Sequence, residues 1–264
     1  MIRILVTGAK GYVGTSFKNW MEQFSEQYAV DLLSIRSPEW VQTDFSKYDV
    51  VLHAAAIVHK REDKLNKQLF FNINKELTVD LARRARDAGA KQFIFLSTMA
   101  VYGTDGEIGR ENLISKNTSP NPKTYYAASK LEAEVEIQKL ANPEFIVTIL
   151  RPPMIYGPSC PGNYGKLEKL AKVVPIFPLI ENRRSMVHVD RLCELIKSYI
   201  ENPLNEIFLP QDTSYINTSR LVKELGEKQG NKIILFRVPR LFLSLSAKCL
   251  PILNKLFGNL TYER

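Results

Sequence analysis

Short apolar runs recur through the first half of the chain: IRILVTG, YAVDLLSI, DVVLHAAA, QFIFLS and FIVTILR. Each is rich in β-branched, leucine and aromatic residues and reads as a strand buried on both faces of a parallel sheet. Helical segments lie between them. The clearest is NKELTVDLARRARDAGA, where Leu77, Leu81 and Ala85 form an apolar stripe, Arg83, Arg84 and Arg86 sit largely off it, and Gly89 ends the helix. Parallel neighbours require right-handed crossovers. The expected fold is therefore α/β, a Rossmann-type doubly wound parallel sheet. After about residue 152 the alternation loosens and Pro152, Pro153, Pro158, Pro161, Pro175 and Pro178 fall close together. This predicts a dinucleotide-binding core over 1–152 and a small C-terminal, mainly substrate-binding region over 153–264. A helix near 190–202 and a strand at EIFLP should return to the sheet.

The 264 residues suit one large domain, or a domain with a small appendage. No stretch approaches the ~18–20 apolar residues of a membrane span, and the five-residue apolar run at the N-terminus is not a signal peptide. Cys160, Cys193 and Cys249 are scattered and odd in number, which points to a reducing compartment and a cytoplasmic protein. His53, His59 and His188 show no metal-ligand spacing, so no metal is expected. The net charge of +8 favours a polyanionic ligand. Aromatic residues do not interleave with the basic ones, which argues against nucleic acid and for a phosphorylated small molecule. The tail VPRLFLSLSAKCLPILNKLFGNL is apolar and basic. It reads as an amphipathic cap on the core or, alternatively, as a membrane-surface helix that would place the protein at the inner face of a membrane.

Three constellations carry chemistry. In VTGAKGYVG, Gly8, Gly11 and Gly14 follow the first strand and open a helix, so backbone can approach a pyrophosphate at that helix's N-terminus. At the end of the second strand, sites that prefer NAD place a carboxylate for the ribose 2′-OH. Here Ser34 stands in that position and Arg36 follows; a guanidinium suits a 2′-phosphate, so NADP(H) is favoured over NAD(H). The third is FLSTMAVYG with TYYAASK. Thr98 ends the fourth strand, and Tyr126 and Lys130 are one helical turn apart on a shared face. An ammonium beside the phenol would lower its ordinary value near ~10, letting Tyr126 exchange a proton near neutrality. Tyr125 points about 100° away and reads as a packing residue.

The ordered set TGAKGYVG, TDFSKYDVVLHAAA, FNINKE, LSTMAVYG, YYAASK, LRPPMIYGP and RRSMVHVD resembles the extended short-chain dehydrogenase/reductase family over residues 2 to about 190. The resemblance implies NAD(P)-dependent chemistry on a nucleotide sugar. It implies Asp44 and Phe45 at the adenine, Tyr12, Val13, Ala54, Ala55, Ala56 and Pro153 along the cofactor, and Lys130 on the nicotinamide ribose. Arg184 would meet the sugar nucleotide's diphosphate, with Met99 and Asn163 joining Thr98 and Tyr126 around the substrate. Asn74 would be a buried support and His188 structural, and a homodimer would form through helices like 75–88 and 126–141. A narrower likeness, carried by FIFLSTMAVYG, RPPMIYGPSCPGN, LPQDTSYINTS and KLFGNL, is to capsule-polysaccharide 4-ketoreductases acting on UDP-4-keto-6-deoxy-N-acetylhexosamines. In that reading Thr98 polarises the 4-keto oxygen and Tyr126 supplies the proton. A UDP-hexose 4-epimerase would use the same trio reversibly. A 4,6-dehydratase would need acid/base groups just after Thr98, where Met99 and Ala100 stand. A non-catalytic dinucleotide sensor is a remaining alternative of a different class.

Overall fold

The computed structural model describes residues 1–58, 62–238 and 251–264, without the side chains of Pro251 and Ile252. His59, Cys249 and the centre of the apolar basic tail, 239–250, lie outside the described residues. The chain divides into two compact units: 1–103 with 120–152 and 189–210, and 104–119 with 153–188 and 211–264. Residues 104–119, inside the stretch assigned to the core from sequence, thus cluster with the second unit.

The first unit is built on one six-stranded parallel sheet: β1 (Ile2–Thr7), β2 (Tyr28–Leu33), β3 (Val50–His53), β4 (Gln92–Leu96), β5 (Ile146–Leu150) and β6 (Ile207–Phe208), in the order β6-β5-β4-β3-β1-β2. All five apolar runs and the returning EIFLP strand take their expected places. β3 and β4 are buried along their whole length, as strands covered on both faces must be; β2, at the edge, is largely half-buried. The helices are α1 (Tyr12–Met21), α2 (Lys64–Phe71), α3 (Leu77–Asp87), α4 (Tyr125–Gln138) and α5 (Val189–Glu201). One core cluster joins Leu5, Val51, Phe93, Phe95, Val147 and Ile149 of the sheet to Leu81 and Ala85 of α3 and Ala133 and Ile137 of α4. α1 contributes buried Gly14, Phe17 and Met21, and α5 buried Leu192, Cys193 and Ile196.

From β1 the chain moves to β2 on one side, then returns past β1 to β3 on the other. Strand order therefore reverses between β1 and β3, and the crevice at their carboxyl ends is where ligands bind in open sheets of this kind. The register sets Thr7 beside both Leu33 and His53, His53 beside Phe95, and Leu96 beside Leu150. Gly8, Ser34, Ala54, Ser97 and Arg151 consequently all begin at one edge.

The second unit holds three short parallel pairs: Met154–Tyr156 with Met186–His188, Ile176–Leu179 with Ile234–Arg237, and Leu113–Ile114 with Thr261–Tyr262. Its helices are Asn163–Val173, Thr218–Lys228 and Pro251–Phe257. Phe257, Leu260 and Tyr262 are buried, so the C-terminal end of the chain is part of this unit's core. Among the described residues no helix is long and apolar enough to cross a membrane.

Candidate active site

The glycine turn after β1 is closed by its own backbone. Gly8 has φ +92°, in the region side chains avoid, and its carbonyl accepts the Gly11 amide at 2.7 Å. The Gly8 and Ala9 amides donate to Leu33 O at 3.0 and 3.3 Å, tying the turn to the end of β2. A Cβ on Gly14 would lie 3.0 Å from Gly8 O, and one on Gly8 would lie 3.2 Å from Ala55 N. The turn thus seats directly against Ala54 and Ala55 at the end of β3, across the β1/β3 switch point. Tyr12 and Val13 form the first turn of α1, whose N-cap, Gly11, has no side-chain cap. Such an N-terminus suits a pyrophosphate, and the tight glycine packing leaves the backbone of the turn open to close approach by a ligand.

Ser34 and Arg36 are exposed just beyond β2. Asp44 is exposed too; it accepts hydrogen bonds from the Ser46 amide (3.1 Å) and hydroxyl (2.6 Å), which hold its carboxyl below the usual range. Phe45 is buried in the core cluster, so Asp44 is the member of that pair presenting its side chain to solvent.

Thr98 leaves β4 extended and N-caps the short turn Met99–Tyr102, its hydroxyl accepting the Ala100 amide at 3.2 Å. Met99 is buried, with its amide bonded to Pro152 O at 2.8 Å. Opposite, Thr124 caps α4 by accepting from Ala127 N at 3.1 Å. Tyr126 and Lys130 share the inward face of that helix. Tyr126 keeps part of its surface open, but its phenol is desolvated, and burial pushes it up to about 12; a hydrogen bond with the Thr98 side chain pulls the other way. Lys130 is buried, its Nζ donating to Leu96 O at 2.8 Å and lying 4.3 Å from the centre of the Phe95 ring. Burial lowers it to about 7, against the attraction of Glu134.

This corrects the electrostatic expectation from the four-residue spacing. The phenol is raised rather than lowered, because its own desolvation is the largest effect on it and the Lys130 amine is captured by the carbonyl that ends β4. Thr98 and Tyr126 lie within hydrogen-bonding reach of each other.

Sequence reasoning passed over what lies beneath them. Glu134, one turn beyond Lys130, accepts from Ser97 Oγ and from Arg151, whose Nη2 lies 2.5 Å from Oε2 and whose Nε lies 3.1 and 3.2 Å from the two carboxylate oxygens. Arg151 Nη1 donates to Tyr102 Oη at 2.9 Å. The arginine and glutamate side chains are 7 % and 1 % exposed. Asn74, on the π turn Asn72–Glu76 between α2 and α3, accepts from Ile57 N (2.9 Å) and donates to Ile57 O (3.1 Å) and Ser129 Oγ (3.2 Å). It fastens the segment after β3 to α4 and is the buried support implied for it. The Glu62 carboxylate accepts from the Tyr125 and Tyr126 amides at 2.7 and 3.2 Å. The spacing Tyr126–Lys130–Glu134 was the visible signal for Glu134; nothing local marked Glu62.

The remaining candidates belong to the second unit. Pro153 is buried and Asn163 is exposed at the first position of its helix. Arg184 is half-buried, with Nη1 donating to Gly258 O (2.9 Å) and Asp105 O (3.2 Å). His188 stacks edge-on against Tyr156, with its amide bonded to Asp212.

Residues 4–208 match the model of a family described as the NAD dependent epimerase/dehydratase family. A Vibrio cholerae protein named UDP-glucose 4-epimerase is 31 % identical, the alignment covering 97 % of this chain and 82 % of that one. Among solved structures, UDP-glucuronic acid 4-epimerase from Bacillus cereus, in complex with NAD, superposes with a TM-score of 0.72 at 21 % identity, over 89 % of this chain and 86 % of that one. dTDP-4-dehydrorhamnose reductase from Bacillus anthracis, in complex with NADP, gives 0.71 at 20 % identity, over 90 % and 84 %.

Proposed function

The chain belongs to the NAD dependent epimerase/dehydratase family, and from that premise we propose that it reduces the 4-keto group of a UDP-4-keto-6-deoxy-N-acetylhexosamine for surface-polysaccharide synthesis. The observation that carries this reading is the placement of Tyr126 beside Thr98: the phenol, desolvated and hydrogen-bonded with the Thr98 side chain, keeps its proton across the physiological range and so has one to give. Met99 and Ala100 offer no proton-transferring group beside it, which disfavours an elimination.

The glycine turn, Ala54–Ala56, Ser34 and Arg36 would hold a nicotinamide dinucleotide, with NADP(H) favoured by Arg36. When bound, that group supplies hydride. Thr98 orients the sugar's C4 oxygen. Tyr126 gives that oxygen its proton. Lys130, anchored through Leu96 O, would hold the ribose and, when charged, assist the phenol. Glu134, Arg151 and Ser97 hold α4 and the end of β4 in register, so donor and orienting hydroxyl keep their spacing. The helical faces of α3 and α4 are the proposed dimer contact. The reaction belongs in the cytoplasm, where a nucleotide sugar and NADPH are both available.

The name carried by the 31 %-identical relative favours a second reading, 4-epimerisation of a UDP-hexose, in which Tyr126 takes up a proton and later returns it. The assay separates the two. Stoichiometric NADPH loss with the 4-keto sugar supports reduction. Interconversion of UDP-glucose and UDP-galactose without added reductant, together with no NADPH loss, would refute it. Dinucleotide binding with neither activity would point to a sensor.

A further inference from the structure

The second unit presents an exposed apolar face. Strands Ile176–Leu179 and Ile234–Arg237 pair in parallel with Ile234 opposite Ile176 and Phe236 opposite Pro178. Side chains alternate across a strand, so these four share one side. The opposite phase is buried: Phe177 is 8 % exposed and its ring lies 5.8 Å from that of Phe257. The outer phase is open, with Ile176 58 %, Ile234 62 % and Phe236 46 % exposed. Val173, at the end of the helix leading into the first strand, is 72 % exposed. Single apolar residues scattered over a surface are ordinary, whereas four large ones on one two-stranded sheet and its approach mark an interaction site.

Basic residues predominate around this face, with Glu168, Glu181 and Glu227 bordering it in sequence. Residues 169–180 and 228–238, which supply it, contain Lys169, Lys172, Lys228, Lys232 and Arg237 and no aspartate or glutamate. Lys172, Lys232 and Arg237 are exposed and enter no ion pair among the described residues. The imbalance extends to the whole unit: its three stretches hold 16 basic and 9 acidic residues, a net +7, while the first unit holds 20 and 19, a net +1. Nearly all of the chain's +8 therefore belongs to the unit that carries the exposed sheet.

We propose that this face docks on an anionic lipid bilayer, with Val173, Ile176, Ile234 and Phe236 entering the headgroup boundary and the flanking cations meeting lipid phosphates. Apolar residues rimmed by lysine and arginine match the two attractions that hold peripheral proteins to such surfaces. Charge argues against the other occupants. A second copy related by a two-fold axis would set Lys172, Lys232 and Arg237 against their own equivalents. The sequence that follows, 239–250, adds Arg240 and Lys248 and no acid, so it offers these cations no counter-charge. Docking of this kind does not depend on the reaction assigned to the first unit.

The test is co-sedimentation of the full chain with vesicles of phosphatidylcholine alone and of phosphatidylcholine with about one-third phosphatidylglycerol. Binding should be at least about tenfold stronger to the anionic vesicles and fall steeply with added salt. Ile176→Asp with Ile234→Asp should lower it about tenfold or more, and so should Lys172→Glu with Lys232→Glu, each without a change in melting temperature or sedimentation coefficient. Failure of the native chain to prefer anionic vesicles overturns the proposal. So does undiminished binding by the aspartate variant. A large drop in its melting temperature would mean that the chain itself covers the face, and conversion of a dimer to a monomer would mean that a second copy does; either result overturns it as well.

Discussion

Replacing Arg151 by methionine isolates the energetic role of the buried cluster under the candidate site. The substitution keeps most of the aliphatic volume but removes every hydrogen bond from Arg151 to Glu134, from Nε at 3.1 and 3.2 Å and from Nη2 at 2.5 Å, together with the bond to Tyr102. Glu134, 1 % exposed, keeps the Ser97 hydroxyl but loses its neutralising cation in a dry interior. Removing one member of a buried ion pair costs about 3–5 kcal/mol, most of it the desolvation of the charge left behind. At about 2–4 °C of melting temperature per kcal/mol for a protein of this size, the single variant should melt roughly 6–20 °C lower. Removing both charges, Glu134→Leu with Arg151→Met, takes away the stranded charge as well. That double variant should recover about 2 kcal/mol or more relative to Arg151→Met alone. Chemical denaturation of the wild type, both single variants and the double variant completes the cycle. A loss under about 1 kcal/mol for Arg151→Met, or simple additivity of the two single losses, would refute the view that these groups act as one buried unit.

Tyr126→Phe should lower kcat on the 4-keto sugar by about 10²–10⁴-fold while leaving dinucleotide affinity nearly unchanged by calorimetry; a comparable kcat would remove the phenol from the reaction. Lys130 is held at about 7 in the folded chain, against 10.5 for a free lysine. The unfolded chain therefore binds more protons between those values, so this group's destabilising contribution is full below about pH 7 and shrinks as pH rises toward 10. Denaturation of wild type against Lys130→Met at pH 6.5 and 9.5 should show the variant's relative advantage larger at the lower pH; the reverse order would contradict a desolvated amine. Arg36→Ala should weaken NADPH by about tenfold or more and NADH little, and equal losses for both would end the case for a 2′-phosphate contact.

The parts that were legible in the sequence are those in which neighbours in sequence are neighbours in space. VVLH and QFIFL are continuous apolar runs because both faces of β3 and β4 are covered; a strand with one face in water would alternate instead. The glycine turn was equally plain, since Gly8, Gly11 and Gly14 are crowded by one another's backbone and by the end of β3. The same logic accounts for the missed polar support of the site. Lys130 and Glu134 are one turn apart, and on most helices such a pair is a solvated couple worth a few tenths of a kcal/mol. Only the fold shows that this stripe faces the sheet. There Lys130 turns to a carbonyl 34 residues away and Glu134 to an arginine 17 residues away. Arg151 itself ends an otherwise apolar strand, where sequence alone suggests a charge emerging into water. Glu62 reaches the amides of Tyr125 and Tyr126 across more than sixty residues, with no local signature at either end. Burial also reverses a conclusion that spacing made natural, because a lysine four residues from a tyrosine need not tune it once a nearer acceptor holds the amine. A phenol held at about 12 stays protonated across the physiological range, so it starts with a proton to give to a ketone and must first lose that proton before it can take one from an alcohol.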